Sequence, residues 1–247
     1  MVIEGRHAVK EALSAGHPID KLYLLDGVRE LGVFKSMARE QGVTFIECDR
    51  VRLDSLSRDA NDGQVGAHQG VVAVAAAHAY AEVEDIWKRA ADAGQAPFVV
   101  ICDGVEDPRN LGAIIRTAEC AGAHGVIIPK RRGAGLTTSA AKAAAGAVEI
   151  LPVARVPGIP SFLEECKKRN IWVYGADASD TAKSVYDTDF TGGVALVLGG
   201  EGGGLSRLSK DRADALVRVP MSGKTPSLNV SAAAAILLFE VAKTRAR

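Results

Sequence analysis

The chain has 247 residues, enough for one large or two modest domains, and its 47% hydrophobic and 24% charged content excludes a disordered or fibrous protein. The 30 basic and 30 acidic side chains balance, so net charge does not favour nucleic acid, and any RNA must be bound by a local surface. No apolar run is long enough to cross a bilayer, and the N-terminus carries charges where a signal peptide needs an apolar core, so we expect a cytoplasmic protein.

The first part of the chain, residues 1–76, predicts a small α/β domain. Hydrophobic periodicity indicates a helix near 4–15, a strand at KLYLLD, a helix over 28–41, a strand at VTFIEC and an apolar stretch at QGVVAVAAA. The sequence then shifts to alanine and charge. We therefore expect a domain boundary at residues 75–81, with a linker and a second domain over 77–247.

The second part repeats strand and helix, which predicts an α/β fold with a parallel sheet covered on both faces. The predicted strands are FVVICDGV, GVIIP, ILPVARV, IWVYGAD, GVALVLGG and LVRVP, and the predicted helices begin at Asn110 and span 138–149, 159–169 and a last segment from about 227. In such sheets, ligands bind beyond the carboxyl ends of the strands. Three loops are therefore candidates, after Val105, Leu198 and Val219.

The first candidate loop, EDPRNLGAIIRTAECAG, enters a helix. Pro108 fits an extended entry, and Asn110 is predicted to cap the helix. Arg116 falls off the apolar stripe of that helix, so it faces away from the core. Taken alone, Asn110 is a cap and Arg116 is a surface charge.

The second loop, VLGGEGGGL, lacks the GxGxxG pattern of dinucleotide sites because Leu205 stands where the last glycine belongs. No Walker motif is present, and the Glu201 carboxylate would repel a phosphate. The loop fits a ligand without phosphate that backbone groups approach closely. A flexible turn with Glu201 in solvent is the alternative.

The third loop, VPMSGKTPSLNVSAAAA, precedes a long alanine-rich helix. Pro220, Gly223 and Pro226 indicate an irregular turn, and Ser227 or Asn229 can cap the helix. The basic triplet Lys130 to Arg132 is either a solvated loop or a phosphate contact. The histidines and four separated cysteines match no metal-ligand spacing, so we expect no metal and no disulfide framework.

Together, NLGAIIRTAECAG, VLGGEGGGL and VPMSGKTPSLNVSAAAAILLFE resemble the three motifs of the SpoU/TrmH family of RNA 2′-O-methyltransferases, over residues 97–247. In addition, VIEGRHAVKEAL and HQGVVAVA resemble the L30e-like RNA-binding domain of bacterial 23S rRNA guanosine 2′-O-methyltransferases. The resemblance implies a deep trefoil knot, a homodimer packed through the knotted region, and a guanosine of 23S rRNA as substrate.

The resemblance also implies a cofactor and a set of site residues. S-adenosylmethionine would bind in a bent form among the second and third loops, near Leu198, Gly199, Gly200, Val219, Met221 and Leu228. We expect backbone groups of Gly199 and Gly200 to bond its adenine and ribose. The catalytic residues carried over from the motifs are Asn110, Arg116, Glu201, Ser227 and Asn229.

Arg116 is the implied activator of the ribose hydroxyl. A neutral arginine at pH 7 is about 7–9 kcal/mol uphill, so we expect Arg116 to bind the hydroxyl and an RNA phosphate while it stays charged. Glu201 acts as base, shapes the loop, or orients Arg116 or Asn229; we favour an organising role beside Arg116.

Three other functions make different predictions for the sequence. A nicotinamide-dependent Rossmann enzyme requires a glycine fingerprint after the first strand, where this chain has EDPRNLG. A non-catalytic RNA-binding protein on the same scaffold would lack the motif residues, which are all present. A tRNA 2′-O-methyltransferase stays open, although the N-terminal domain favours large-subunit rRNA.

Overall fold

A computed structural model describes residues 2–61, 63–225 and 227–246. It divides into two compact units, Met1–Ala79 with Leu136–Thr138, and Tyr80–Gly135 with Ser139–Arg247. Pro226, which the sequence places in the turn before the last helix, lies outside the described residues. Within the described ranges, no helix is both long and apolar enough to cross a membrane.

The first unit is built on a four-stranded sheet in the order β1-β4-β2-β3. Its strands are β1 (Val2–Glu4), β2 (Ile19–Leu25), β3 (Thr44–Cys48) and β4 (Val71–Ala75), and its helices are α1 (Arg6–Ser14), α2 (Gly32–Glu40) and α3 (Arg50–Ala60). Strand β2 pairs with β3 in parallel and with β4 antiparallel. The sequence did not predict β1, which is very short, or α3, which carries few apolar residues.

The second unit holds a seven-stranded parallel sheet in the order β7-β6-β5-β10-β8-β11-β9. The strands are β5 (Phe98–Asp103), β6 (Gly125–Pro129), β7 (Val153–Val156), β8 (Ile171–Ala176), β9 (Lys183–Ser184), β10 (Gly193–Gly199) and β11 (Ala215–Arg218). The helices are α4 (Val83–Asp92), α5 (Pro108–Cys120), α6 (Thr138–Ala144, all but Thr138 in this unit), α7 (Ile159–Lys168), α8 (Arg207–Arg212) and α9 (Val230–Arg245). The predicted α/β class with a parallel sheet is confirmed.

The core of this unit lies along its two central strands. Residues of β5 and β10 that point to opposite faces, Val99 and Val100 of β5 and Ala195 and Leu196 of β10, are all fully buried. Helix α7 packs on β8, and helix α9 packs on α5 and β10. A sheet buried on both faces explains why its strands read as continuous apolar runs rather than as alternating ones.

Two helix starts matter for the site: the cap of α5 differs from the prediction, and Asn229, one of the two predicted caps of the last helix, is confirmed. Asp107, not Asn110, caps α5, because its carboxylate accepts the Arg109 N–H at 2.8 Å and Pro108 opens the helix. The prediction that Asn110 caps this helix is therefore wrong, and its side chain is free for other contacts. The last helix begins at Val230, because Asn229 is its cap and accepts the Ser231 N–H at 2.9 Å.

Candidate active site

A cavity of about 770 Å³ lies at the carboxyl ends of β8, β10 and β11. This volume is within the range of small-ligand sites. The residues predicted to contact a cofactor all line it: Leu198, Gly199, Gly200, Val219, Met221 and Leu228. Three of the predicted catalytic residues, Glu201, Ser227 and Asn229, also line it, whereas Asn110 and Arg116 do not.

Glycines bring the loops of this cavity into backbone contact. A Cβ on Gly200 would lie 2.1 Å from the carbonyl oxygen of Gly104, and one on Gly199 would lie 2.2 Å from the carbonyl carbon of Gly204. Gly200 and Gly204 also exchange two backbone hydrogen bonds, at 3.1 and 3.0 Å. The loop therefore needs glycine to pack against its neighbour, and the Gly200 backbone groups expected to meet a ligand are already bonded within the loop.

Three side chains from three loops meet beside the cavity and form what we term the amide–carboxylate cluster, Asn110, Glu201 and Asn229. Both asparagine Nδ2 groups donate to Glu201 Oε1, with Asn229 at 3.0 Å, and Asn229 Nδ2 also lies 3.2 Å from Asn110 Oδ1. Asn110 is almost fully buried, and Asn229 Oδ1 accepts from Ser231. Residues up to 119 positions apart are thus held in one hydrogen-bonded group.

Arg116 does not join this cluster within one chain. It lies exposed on α5, six residues beyond Asn110, and no bond to Glu201 occurs among the described residues. The expected pairing of Glu201 with Arg116 is therefore replaced by bonds to the two asparagines. Ser227 is exposed at the cavity wall.

The charge of Glu201 acts on Arg109, near the start of α5. Its guanidinium makes two bonds to Asp107, at 3.1 and 3.3 Å, which raise the pKa of Arg109, and the charge of Glu201 acts in the same direction. The same hydrogen bonds lower the pKa of the Asp107 carboxyl. Both groups are therefore charged at neutral pH beside the cluster.

The sequence analysis did not identify one wall of the cavity, the end of β8 and the loop 177–180 that follows it. Asp177 pairs with Lys210, and Asp180 pairs with Arg218 at 3.0 Å. Burial alone would raise the pKa of Asp177, but hydrogen bonds from Lys210 and Ser179 lower it to about 2. The signal for this loop is present in the sequence, because it follows the predicted strand IWVYGAD and ligands bind beyond the carboxyl ends of such strands.

The lining of the cavity fits a ligand that has an apolar part and carries charges of both signs. Apolar side chains, including Leu198, Val219 and Leu228, line it together with carboxylates and cations. Arg218 Nε is buried there without a hydrogen-bond partner among the described groups. In the same ranges, no group of three or more His, Cys, Asp or Glu side chains is arranged to hold a metal ion.

Both parts of the chain match models of known protein families. The family model described as the SpoU rRNA Methylase family matches residues 97–239, and the model described as RNA 2′-O ribose methyltransferase substrate binding matches residues 2–81. A Bacillus subtilis protein named as a TrmH family tRNA/rRNA methyltransferase is 44% identical, over 98% of this chain and 94% of its own length.

Two crystal structures are similar over the whole chain. The SpoU methyltransferase AviRb of Streptomyces viridochromogenes, in complex with the cofactor AdoMet, has a TM-score of 0.62 and 25% identity and covers 100% of this chain and 90% of its own. An AdoMet-bound rRNA methyltransferase of Sinorhizobium meliloti has a TM-score of 0.60 and 27% identity and covers 98% of this chain and 86% of its own.

Proposed function

This chain belongs to the SpoU/TrmH family of S-adenosylmethionine-dependent RNA methyltransferases, and we propose that it methylates the ribose 2′-hydroxyl of a guanosine in 23S rRNA. The observation that carries this proposal is the amide–carboxylate cluster. It unites residues from all three predicted motif loops beside the ligand cavity.

S-adenosylmethionine supplies an electrophilic methyl group on a sulfonium when it is bound. In this chain, Leu198, Val219 and Leu228 provide apolar wall for its adenosine, and the carboxylates nearby tolerate its positive charge. The Glu201 carboxylate, which would repel a phosphate, is therefore compatible with this positively charged cofactor. We propose these residues, with Gly199, Gly200 and Met221, as the cofactor contacts.

We propose Glu201 as the organiser of the site. Its Oε1 atom holds both asparagine amides, which fixes the loops after β5, β10 and β11 relative to one another. Its Oε2 atom has no hydrogen-bond partner among the described residues, so it is available to accept a bond from the ribose hydroxyl. Positioning of this kind supplies much of the rate in a transfer between two bound groups.

Arg116 completes the proposed site from a second copy of the chain. Its exposed position on α5 leaves it apart from the cluster of its own chain. Helix α9, which packs on α5, is continuously apolar over residues 232–239 and exposes half of Phe239, as expected of a helix that a partner covers. We propose a homodimer through this surface, and a trefoil knot in the C-terminal unit, as in the family.

Two inactive variants test the homodimer. Co-expressed Arg116→Ala and Glu201→Ala chains should regain about a quarter of wild-type activity, because half of the dimers then hold one intact site. No recovery, with dimers verified by ultracentrifugation, would mean that Arg116 acts within its own chain or not at all.

The choice of rRNA rests on the N-terminal unit. It matches a substrate-binding family model, and the rRNA methyltransferase of Sinorhizobium meliloti is similar over 98% of this chain, including that unit. We propose that the unit, residues 1–76, is an L30e-like domain that binds RNA. A tRNA substrate is the second candidate, since the Bacillus subtilis relative is named for both RNAs.

Methyl transfer to separate RNA pools tests the proposed function. Purified protein is incubated with methyl-labelled S-adenosylmethionine and either rRNA from an unmethylated strain or bulk tRNA, and the labelled nucleoside is identified by mass spectrometry. We expect 2′-O-methylguanosine in 23S rRNA. Label in tRNA alone would show that tRNA, not 23S rRNA, is the substrate. Label on a base would contradict methylation of the ribose 2′-hydroxyl.

A further inference from the structure

The carboxyl edge of the seven-stranded sheet carries more than the cofactor cavity. Because the strand order is β6-β5-β10-β8-β11, the loops that follow the strands lie in the same order along this edge. The cavity lies over β10, β8 and β11, and the amide–carboxylate cluster joins the loops after β5 and β10. The loop after β6 therefore lies beyond the cluster, on the side away from the cavity.

This order determines the side from which RNA approaches, if the proposed function holds. A hydroxyl that attacks a methyl group must face it from the side opposite the sulfur, in line with the bond that breaks. The amide–carboxylate cluster borders the cavity on the side of β5 and β6, so we place the ribose and its phosphates over the ends of these strands. Charges on that side meet the RNA backbone.

The loop after β6 holds two arginines that the proposed chemistry does not use. Arg131 and Arg132 are exposed, and their side chains make no hydrogen bond or ion pair within the described residues. Arg132 has a φ of 59°, a conformation uncommon for a residue with a side chain. The loop is nevertheless fixed, because the Ala134 N–H donates to the Val105 carbonyl and the Lys130 N–H to the Val156 carbonyl, both at 2.8 Å.

Arg109 extends this charge toward the cluster. Its side chain is 81% exposed and is held in place by Asp107. Segments 104–110 and 130–135 together carry four cations against two carboxylates, Glu106 and Asp107, in a chain of zero net charge. Of the cations that line the cavity, Lys210 and Arg218 are paired with aspartates and Lys224 is exposed. The side of β6 is distinguished by two adjacent arginines, Arg131 and Arg132, that make no ion pair within the described residues.

We propose that Arg109, Arg131 and Arg132, here termed the arginine rim, bind phosphates of the substrate RNA strand next to the target ribose. The rim rests on the proposed function and adds to it the surface that positions the substrate. Guanidinium groups on a fixed loop suit phosphate oxygens, which accept two parallel hydrogen bonds from one arginine. Contacts of this kind set affinity and register without reading sequence.

Salt dependence of RNA binding tests the rim. Affinity for a 23S rRNA transcript is measured at several KCl concentrations for the wild type and for the double variant Arg131→Gln/Arg132→Gln. Loss of two phosphate contacts should lower the slope of log Kd against log salt by about 1.4 to 1.8 and weaken binding about ten-fold or more near 0.1 M salt. Melting temperature and S-adenosylmethionine affinity should stay at wild-type values.

The matched control is Lys88→Gln/Lys168→Gln, which removes two exposed cations from α4 and α7, the helices that lead into the opposite edge of the sheet. It should keep the wild-type slope. Equal slopes for both double variants, or a loss of cofactor affinity in the arginine variant, would overturn the rim. If the wild type methylates no RNA at all, the proposed function fails instead, so the two failures are distinguishable.

Discussion

The two edges of the seven-stranded sheet use the same residue types in opposite ways. At the carboxyl edge, Asn110 and Asn229 hold Glu201 beside a cavity, and Arg131 and Arg132 are exposed. At the amino edge, polar side chains close the structure by bonding to the backbone. The same chemical groups therefore serve function at one edge and stability at the other.

The amino edge shows this closure in three places. Arg245 donates to the carbonyls of Gly192 and Ala96, which precede β10 and β5. Asp214 accepts the Val173 N–H at 2.8 Å and pairs with Lys167. His124 Nδ1 accepts the Phe98 N–H at 2.9 Å, and its Nε2 lies 3.1 Å from the Gln95 amide oxygen.

The difference teaches that a polar residue is assigned by what it bonds rather than by its type. Side chains that bond the backbone of their own sheet stabilise the fold, because removing one leaves a buried backbone group without a hydrogen-bond partner. Groups bonded to each other at a cavity rim are available to a ligand. Changes at the carboxyl edge should therefore alter activity or cofactor binding, with or without a loss of stability, and changes at the amino edge should alter stability alone.

The largest expected effect is that of Gly200→Ala. Its Cβ would lie 2.1 Å from the Gly104 carbonyl oxygen, so two loops must separate, and we expect cofactor binding to be lost with a destabilisation of about 1–3 kcal/mol. The control is Gly203→Ala, where no atom lies within 4 Å. Calorimetric titration and thermal unfolding measure both effects, and a wild-type cofactor affinity in Gly200→Ala would mean that this loop contact is dispensable.

The next effect concerns Glu201. Glu201→Ala frees both asparagine amides and should lower kcat about 100-fold, whereas Glu201→Gln keeps an acceptor oxygen and should lose about ten-fold. The cofactor Kd should change little in either variant. Near-full activity of Glu201→Gln excludes a base role for this residue, and equal losses in the two variants would contradict its role as organiser.

Arg116→Lys tests how the ribose hydroxyl is bound. Lysine keeps the charge but loses the planar fork that can hold a hydroxyl and a phosphate together, so we expect a loss in kcat of about ten-fold or more with an unchanged melting temperature. Single-turnover methylation separates this step from product release. Near-normal turnover would show that neither fork geometry nor a shared proton matters.

A smaller effect is expected at the amino edge from His124. Burial, and then the charges of Arg245 and Arg89, lower its pKa to about 4 in the folded protein, below the usual value of 6.5. Between these two pKa values His124 binds a proton in the unfolded chain but not in the folded chain. The free energy of unfolding should therefore fall as the pH drops from about 6.5 to 4. Melting curves of His124→Gln should have a flatter pH dependence over that range, and a parallel curve would assign the titration to other groups.

The sequence predicted the parallel sheet and the loops at its carboxyl edge because apolar strands and glycine-rich loops leave strong local patterns. It did not predict which side chains meet. Asn110 matched the pattern of a cap, and only a bond to Glu201, 91 residues away, distinguishes it from one. The need for glycine at Gly200 arises from the backbone of Gly104, a contact between two loops that no local pattern records.

The central claim, that the carboxyl edge binds the cofactor while the amino edge is structural, has one direct test. Amide hydrogen exchange is compared with and without S-adenosylhomocysteine, the product form of the cofactor. The account predicts slower exchange in the loops 176–180, 199–204 and 219–224, with no change around His124 and Asp214. Protection confined to the amino edge or to residues 1–76 would contradict it.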